Sequence, residues 1–175
     1  MNFNLDEAIE VLERTPKMLE AFLSGLSDAW LQCNEGEGTW NVTEVLNHLI
    51  EGERVNWMPR LEHMLQAGAS KPFPPFDRYA NLQADSGNTL EQQLQAFRAI
   101  RAESIAKLRA IPDLTSKLEL TGTHPVFGEV RVRELLSTWT VHDMTHIAQI
   151  VRVMGTRYRA DVGPWIAYLG ILNQK

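Results

Sequence analysis

Apolar residues recur three and four positions apart along most of this 175-residue chain, and the alternating pattern of a half-buried strand is nearly absent. That periodicity restricts the fold to helices packed on helices. Leu5, Ala8, Ile9 and Leu12 form the first stripe. Thr15-Pro16 then offers an N-cap followed by a residue suited to the first helical position, so a second piece carrying Met18, Leu19, Phe22 and Leu23 is expected there. A kinked single helix is the alternative. Gly25 suits the C-cap region, and a loop runs from Trp30 to Gly38. The next long helix should start near Asn41, with Val42, Val45, Leu46 and Leu49 inward, a bend at Pro59, and Leu61, Met64 and Leu65 continuing the stripe. Residues 67–88 hold Gly68, Pro72, Pro74, Pro75 and Gly87 and read as a long connection, of a kind that is often functional. Thr89 caps a third helix carrying Leu94, Phe97, Ile100, Ile105 and Leu108, which Pro112 ends. Beyond a turn-rich connector at 122–130, a fourth helix runs from about Val132 to Met154 and stops at Gly155, and a short closing helix follows within 162–172. Four main helices with long connections and no sheet define an all-α four-helix bundle, one domain over residues 1–175.

Composition narrows the function classes. The net charge is -5 with no Lys/Arg-rich run, which argues against a nucleic-acid surface. One cysteine, Cys33, excludes an intrachain disulfide framework and a Cys-rich zinc site, and fits a reducing cytoplasm. Beside Trp30 it reads as a small buried apolar side chain. The first residues show no signal peptide, and no apolar run reaches the length of a membrane span. The expectation is a cytoplasmic protein with no nucleic-acid or membrane partner.

His142 and His146 stand four residues apart inside the fourth helical pattern, so their imidazoles project from one side, a turn apart. At ~100° per residue they share an arc with Leu135, Trp139, Ile150 and Val153, which places them on the buried face. An apolar stripe satisfies neither ring nitrogen. Spacing alone leaves open a shared metal ion and two separately satisfied imidazoles. His48 is the candidate third ligand, beside the Val42/Val45/Leu46/Leu49 stripe, and Gly52 on its next turn is expected to leave room for a ligand. Three imidazoles around a divalent ion would keep a coordination position open, which distinguishes a catalytic site from a structural one.

Other residues carry weaker signals. Gln149 lies one turn beyond His146 on the same arc, available either to a bound molecule or to a polar contact in the bundle. Trp57 is the tryptophan expected as a pocket wall, the others as core. Asp143 is rotated about 100° from His142 and suits a hydrogen bond near the site or to a neighbouring element better than direct ligation. His63 lies four turns, roughly 22 Å, from His48, too far to share its ion. His124 reads as surface or rim.

Residues 40–49, Trp40-Asn41-Val42-Thr43-Glu44-Val45-Leu46-Asn47-His48-Leu49, together with Val132-Arg133-Glu134-Leu135-Leu136 and residues 139–150 around His142 and His146, resemble the DinB-like (YfiT-like) superfamily of metal-dependent enzymes. Leu12-Glu13-Arg14-Thr15-Pro16 and Val162-Gly163-Pro164-Trp165 agree with it, so the resemblance spans nearly the whole chain. It implies an up-down-down-up bundle, often a homodimer, in which His48, His142 and His146 hold nickel, zinc or a similar ion. Activities in the superfamily include S-transfer and isomerisation with a low-molecular-weight thiol, and hydrolysis. The leading expectation is a thiol S-transferase acting on a small electrophilic substrate. A hydrolase activating water is the alternative, with Glu44, Glu51 or Asp143 as base, and a non-enzymatic metal- or ligand-binding bundle is the third.

Overall fold

The computed structural model describes residues 2–75 and 87–173. Six α-helices are present among them: α1 (Leu5–Leu23), α2 (Asp28–Leu31), α3 (Val42–Val55), α4 (Trp57–Ala67), α5 (Leu90–Ala110) and α6 (Val132–Thr156). The strands β1 (Thr121–His124) and β2 (Gly128–Arg131) form one antiparallel hairpin. No helix of the described residues is long and apolar enough to cross a membrane.

Local chemistry sets the helix starts. Asn41 accepts from the Glu44 amide while Glu44 reaches back to the Asn41 amide, and Thr89 and Gln92 form the same reciprocal cap. Two sequence expectations fail instructively. The chain does not restart at Thr15-Pro16: α1 is one helix with Pro16 inside it. Proline cannot donate to the carbonyl four residues back, so the Leu12 carbonyl is released, and Arg101 Nη1 donates to it at 2.8 Å. The expected bend at Pro59 falls instead at Asn56 (φ -110, ψ -65), between α3 and α4. Pro59 lies in the first turn of α4, where a missing N–H costs nothing.

Cross-links between helices give the topology. Glu20 and Glu13 of α1 meet Arg98 and Arg109 of α5, so these two run antiparallel. Asn47 and Glu53 of α3 meet Gln93 and Arg101 of α5, so those run parallel. His48 and Glu53 meet His142 and Trp139 of α6, again antiparallel. The order α1, α3, α5, α6 is therefore up, down, down, up, a four-helix bundle with α2 and α4 as additions.

The buried apolar side chains form two clusters. One holds Ile9, Leu12, Trp57, Leu61, Leu108, Leu136 and Trp139, the other Leu19, Leu23, Leu46, Leu49, Phe97, Ile150 and Val153. α1, α5 and α6 contribute to both clusters, while α3 belongs to the second and α4 carries the chain into the first. Between the clusters lie buried polar positions: Thr15 in α1, Glu53 in α3, Arg101 and Ser104 in α5, Asp143 and His146 in α6. A polar layer thus divides the bundle interior, and its α3/α6 side carries the histidines.

The connector at 122–130, expected to be turn-rich, is the hairpin, so the chain holds a two-stranded sheet where none was expected. Its three-residue turn, Pro125-Val126-Phe127, closes on Gly128 at φ +73, a backbone conformation that favours glycine. Gly122 lets β1 approach α4: a Cβ there would stand 2.7 Å from Met64 Cγ. The chain after α4 joins the hairpin through the Phe73 amide, which donates to the Thr123 carbonyl at 2.9 Å. The expected connection 67–88 begins with a 3-10 turn, Gly68–Ser70, and its stretch from 76 to 86 lies outside the described residues. The expected closing helix is two short 3-10 segments, Gly163–Tyr168 and Gly170–Leu172.

Candidate metal centre

α3 presents His48 and α6 presents His142 and His146 to the same point. His48 Nε2 lies 3.2 Å from His142 Nε2, which lies 3.1 Å from His146 Nε2. The three rings offer ligand atoms that all fall within 4.8 Å of one another. Imidazole nitrogens at 2.0–2.1 Å from a tetrahedral ion stand about 3.3 Å apart, close to the two shorter separations here. Three neutral rings cannot satisfy this arrangement with protons alone. A bridging proton serves one pair of nitrogens and leaves the remaining lone pair facing them, whereas a cation serves all three.

The surroundings lower the proton affinity of His142 and His146 and aim the latter. Burial first, then the neighbouring His146 and His48 and the Arg101 guanidinium, push His142 down to about 3. Burial also lowers His146, against the opposing pull of Gln149 and Asp143. Gln149 Oε1 is 2.7 Å from His146 Nδ1; a ring that donates there carries its proton on Nδ1 and leaves Nε2 bare. Gln149, read from sequence as available to a bound molecule, is therefore committed to the ring behind the site. His142 Nδ1 is buried with no hydrogen-bond partner among the described residues.

Two further expectations are revised. Trp57 does not line the cavity: it is buried behind His142, edge to ring at 5.0 Å, and stacks on Trp139 at 6.0 Å. Gly52 does not open space for a ligand, because the Trp57 indole occupies it; a Cβ at 52 would lie 3.2 Å from Trp57 Nε1. The tryptophan on the cavity wall is Trp40, with its ring 4.9 Å from that of His48 and stacked 6.3 Å from that of His146. Trp40 precedes the α3 cap, outside the helix whose periodicity the sequence reveals.

Beneath the histidines lies a cluster that helix patterns do not disclose. Arg101, 2% exposed, uses all five of its N–H donors. Nε and Nη2 donate to Glu53 Oε1 at 2.9 and 2.7 Å, Nη1 and Nη2 donate to Asp143 at 2.6 and 3.0 Å, and Nη1 donates to the Leu12 carbonyl. Trp139 Nε1 donates to the same Glu53 oxygen at 2.8 Å. Burial opposes the charge of Arg101, but Asp143 and Glu53 outweigh it and hold its pKa above the usual value. Asp143, 0% exposed and next to His142 in sequence, thus locks α6 to α5. The guanidinium ties together all four bundle helices, including both that carry histidines.

The three histidines open onto a cavity of about 610 Å³, whose described lining adds Trp40, Asn56, Arg60, Pro75, His124 and the hairpin turn. No carboxylate is among those lining residues. Glu44 is engaged in its cap, Glu51 is paired with Arg54 at 4.0 Å, and Asp143 is held by Arg101. His124 Nδ1 accepts from the Val126 and Phe127 amides at 3.1 and 3.3 Å, which leaves Nε2 to carry the proton. His63 lies apart, its Nε2 2.9 Å from the Lys71 carbonyl. Cys33 is not on the cavity wall; burial pushes its thiol up, and Sγ donates to the Trp30 carbonyl.

An up-down-down-up helical bundle with a three-histidine cluster lining a cavity defines the class. The sequence model of the DinB superfamily matches residues 11–150, and the chain belongs to that superfamily. Among characterised folds it is similar to YfiT from Bacillus subtilis, described as a probable metal-dependent hydrolase with an unusual four-helix bundle topology (TM-score 0.73, 22% identity, 87% of each chain). Two Oceanobacillus iheyensis proteins are also similar. "Putative metal-dependent hydrolase OB0413" is 21% identical, covering 84% of this chain and 83% of that protein. "Putative metal-dependent hydrolase OB0782" is 25% identical, covering 85% of each.

Proposed function

We propose that the chain is a metal-dependent enzyme in which His48, His142 and His146 hold one divalent ion, nickel or zinc, and a small molecule enters the adjoining cavity. The observation that carries this reading is the convergence of three imidazole nitrogens on a cavity whose described wall holds no carboxylate. An all-nitrogen set suits a borderline ion such as zinc or nickel and not magnesium or calcium, which take oxygen ligands. Bound there, the ion would lower the pKa of a thiol or a water, supplying a nucleophile near neutral pH.

The residues of the chain divide the remaining work. Gln149 sets the tautomer of His146, and the Arg101 cluster fixes α3 against α6 so that the ligand atoms keep their spacing. Trp40 and the hairpin turn wall the cavity and limit water around a bound molecule. Neutral His124, with Nε2–H as its free donor, suits stabilisation of developing negative charge rather than proton abstraction.

Without a carboxylate base on the described wall, a nucleophile that ionises readily is favoured. A free thiol, at about 8.5, needs far less help than water at about 15.7. Transfer of a low-molecular-weight thiol to a small electrophile is therefore the first reading. Hydrolysis is the second, favoured by the names of the relatives. Metal-loaded protein offered a generic electrophile with each of several cellular thiols, and separately a panel of esters and amides, distinguishes them. Thiol-dependent turnover abolished by chelator supports the first reading. Chelator-sensitive hydrolysis without thiol supports the second and contradicts the first.

A further inference from the structure

Arg60 lines the same cavity as the histidines, half-buried on α4, and no carboxylate among the described residues pairs with it. Every arginine of the four bundle helices meets an acid; Arg60, on α4, instead lies over the Phe73 ring at 5.2 Å. Phe73 is itself buried and meets His124 edge to face at 6.0 Å. Burial lowers the pKa of Arg60 from its ordinary value, and the nearby guanidinium helps depress His124. One turn back along α4, at the helix junction, Asn56 is 6% exposed and lines the cavity, with Oδ1 buried and unpartnered among the described residues. Its backbone is fixed from both sides: its amide donates to the Gly52 carbonyl and its carbonyl accepts from the Arg60 amide, each at 3.1 Å. Val126 and Phe127, 78% and 76% exposed, put apolar surface at the rim.

We propose that Arg60 and Asn56 form a recognition subsite for a carboxylate-bearing substrate that carries an N–H or O–H donor next to the acid. The planar guanidinium takes a carboxylate in two parallel hydrogen bonds, His124 lines the same cavity, and the Asn56 Oδ1 takes the neighbouring donor. A single arginine with no lysine on the described wall matches a monoanion better than a phosphate ester, which carries up to two charges and three acceptor oxygens. A buried acceptor left unpaired is costly, and a half-buried cation without its anion adds to that cost, so both groups discriminate against ligands that lack the complementary atoms. The substrate therefore reaches the histidines with its acid anchored at Arg60 and its reactive atom turned toward their Nε2 atoms. The placement of the reactive atom rests on the proposed metal site; the acid subsite does not.

The test is calorimetric titration of the full chain with N-acetylglycine, which has both the carboxylate and the N–H donor, and with its neutral counterpart N-acetylglycinamide. Titrations are run on chelator-treated protein and on metal-loaded protein. The expected result is a preference of about tenfold or more for the acid in chelator-treated wild type. Arg60→Gln should abolish it, and Arg60→Lys, which keeps the charge and loses the fork, should reduce it several-fold. Should Arg60→Gln fail to fold, Arg60→Lys decides. No preference in wild type, or a preference unchanged in the folded arginine variants, overturns the subsite. A preference that appears only with metal and vanishes in His146→Ala also overturns it, since the acid then binds the ion. If no metal binds and the acid preference survives, the subsite stands and the metal reading fails.

Discussion

Gln149 Oε1 and His146 Nδ1 lie 2.7 Å apart, on successive turns of one helix, with the other ring nitrogen aimed at His48 and His142. The amide thus selects the tautomer in which Nε2 can bind a cation. Gln149→Leu removes that selection while keeping side-chain bulk. Metal affinity, measured by competition with a chromophoric chelator, is expected to fall about 10- to 100-fold with little change in helical content. Unchanged affinity would leave Gln149 as a packing residue only.

Arg101 is the sole cation among the charged groups of the buried layer that ties α5 to Glu53 and Asp143 among the described residues, and it also takes the carbonyl that Pro16 releases. Arg101→Leu strands two buried carboxylates, and the expected cost is about 3–5 kcal/mol in urea denaturation. The control is Arg109→Leu, which breaks an exposed pair with Glu13 at a cost of about 1 kcal/mol or less. Equal losses in the two variants would show that the buried cluster does not organise the layer.

Stability of the metal-free protein should depend on pH through His142. Its folded pKa, about 3, lies below the ordinary histidine value of 6.5. Above 6.5 the ring is neutral in both states. Between 6.5 and about 3 the unfolded chain takes up a proton that the folded chain refuses, so the stability held above 6.5 is lost as pH falls through that window. Denaturation midpoints across this range should drop more steeply in wild type than in His142→Gln. Parallel profiles would mean that His142 is protonated in the folded state.

How much of this was legible in the sequence depended on periodicity. The histidine pair could be read because i and i+4 share a face of one helix, and His48 because it borders an apolar stripe. The caps at Asn41 and Thr89 were readable for the same local reason: their partners are three residues away. Arg101 was hidden in α5 because its partners lie on three other helices, with sequence separations of 89, 48 and 42 residues. Pro16 was misread as a helix start because its cost is offset by that distant arginine. Trp40 and His124 reach the cavity from outside the bundle helices, where no repeating pattern says which way a side chain faces, and the readings of Trp57 and Gly52 both fail because the indole fills the gap that the glycine leaves.

Elemental analysis of the untagged protein, alongside His48→Ala, tests the central claim most directly. About one divalent transition-metal ion per chain is predicted for wild type, with occupancy lost in the variant as affinity falls at least tenfold. A wild-type protein that binds no such ion, or a folded His48→Ala that holds it as tightly, would contradict the assignment of the three histidines as a metal centre.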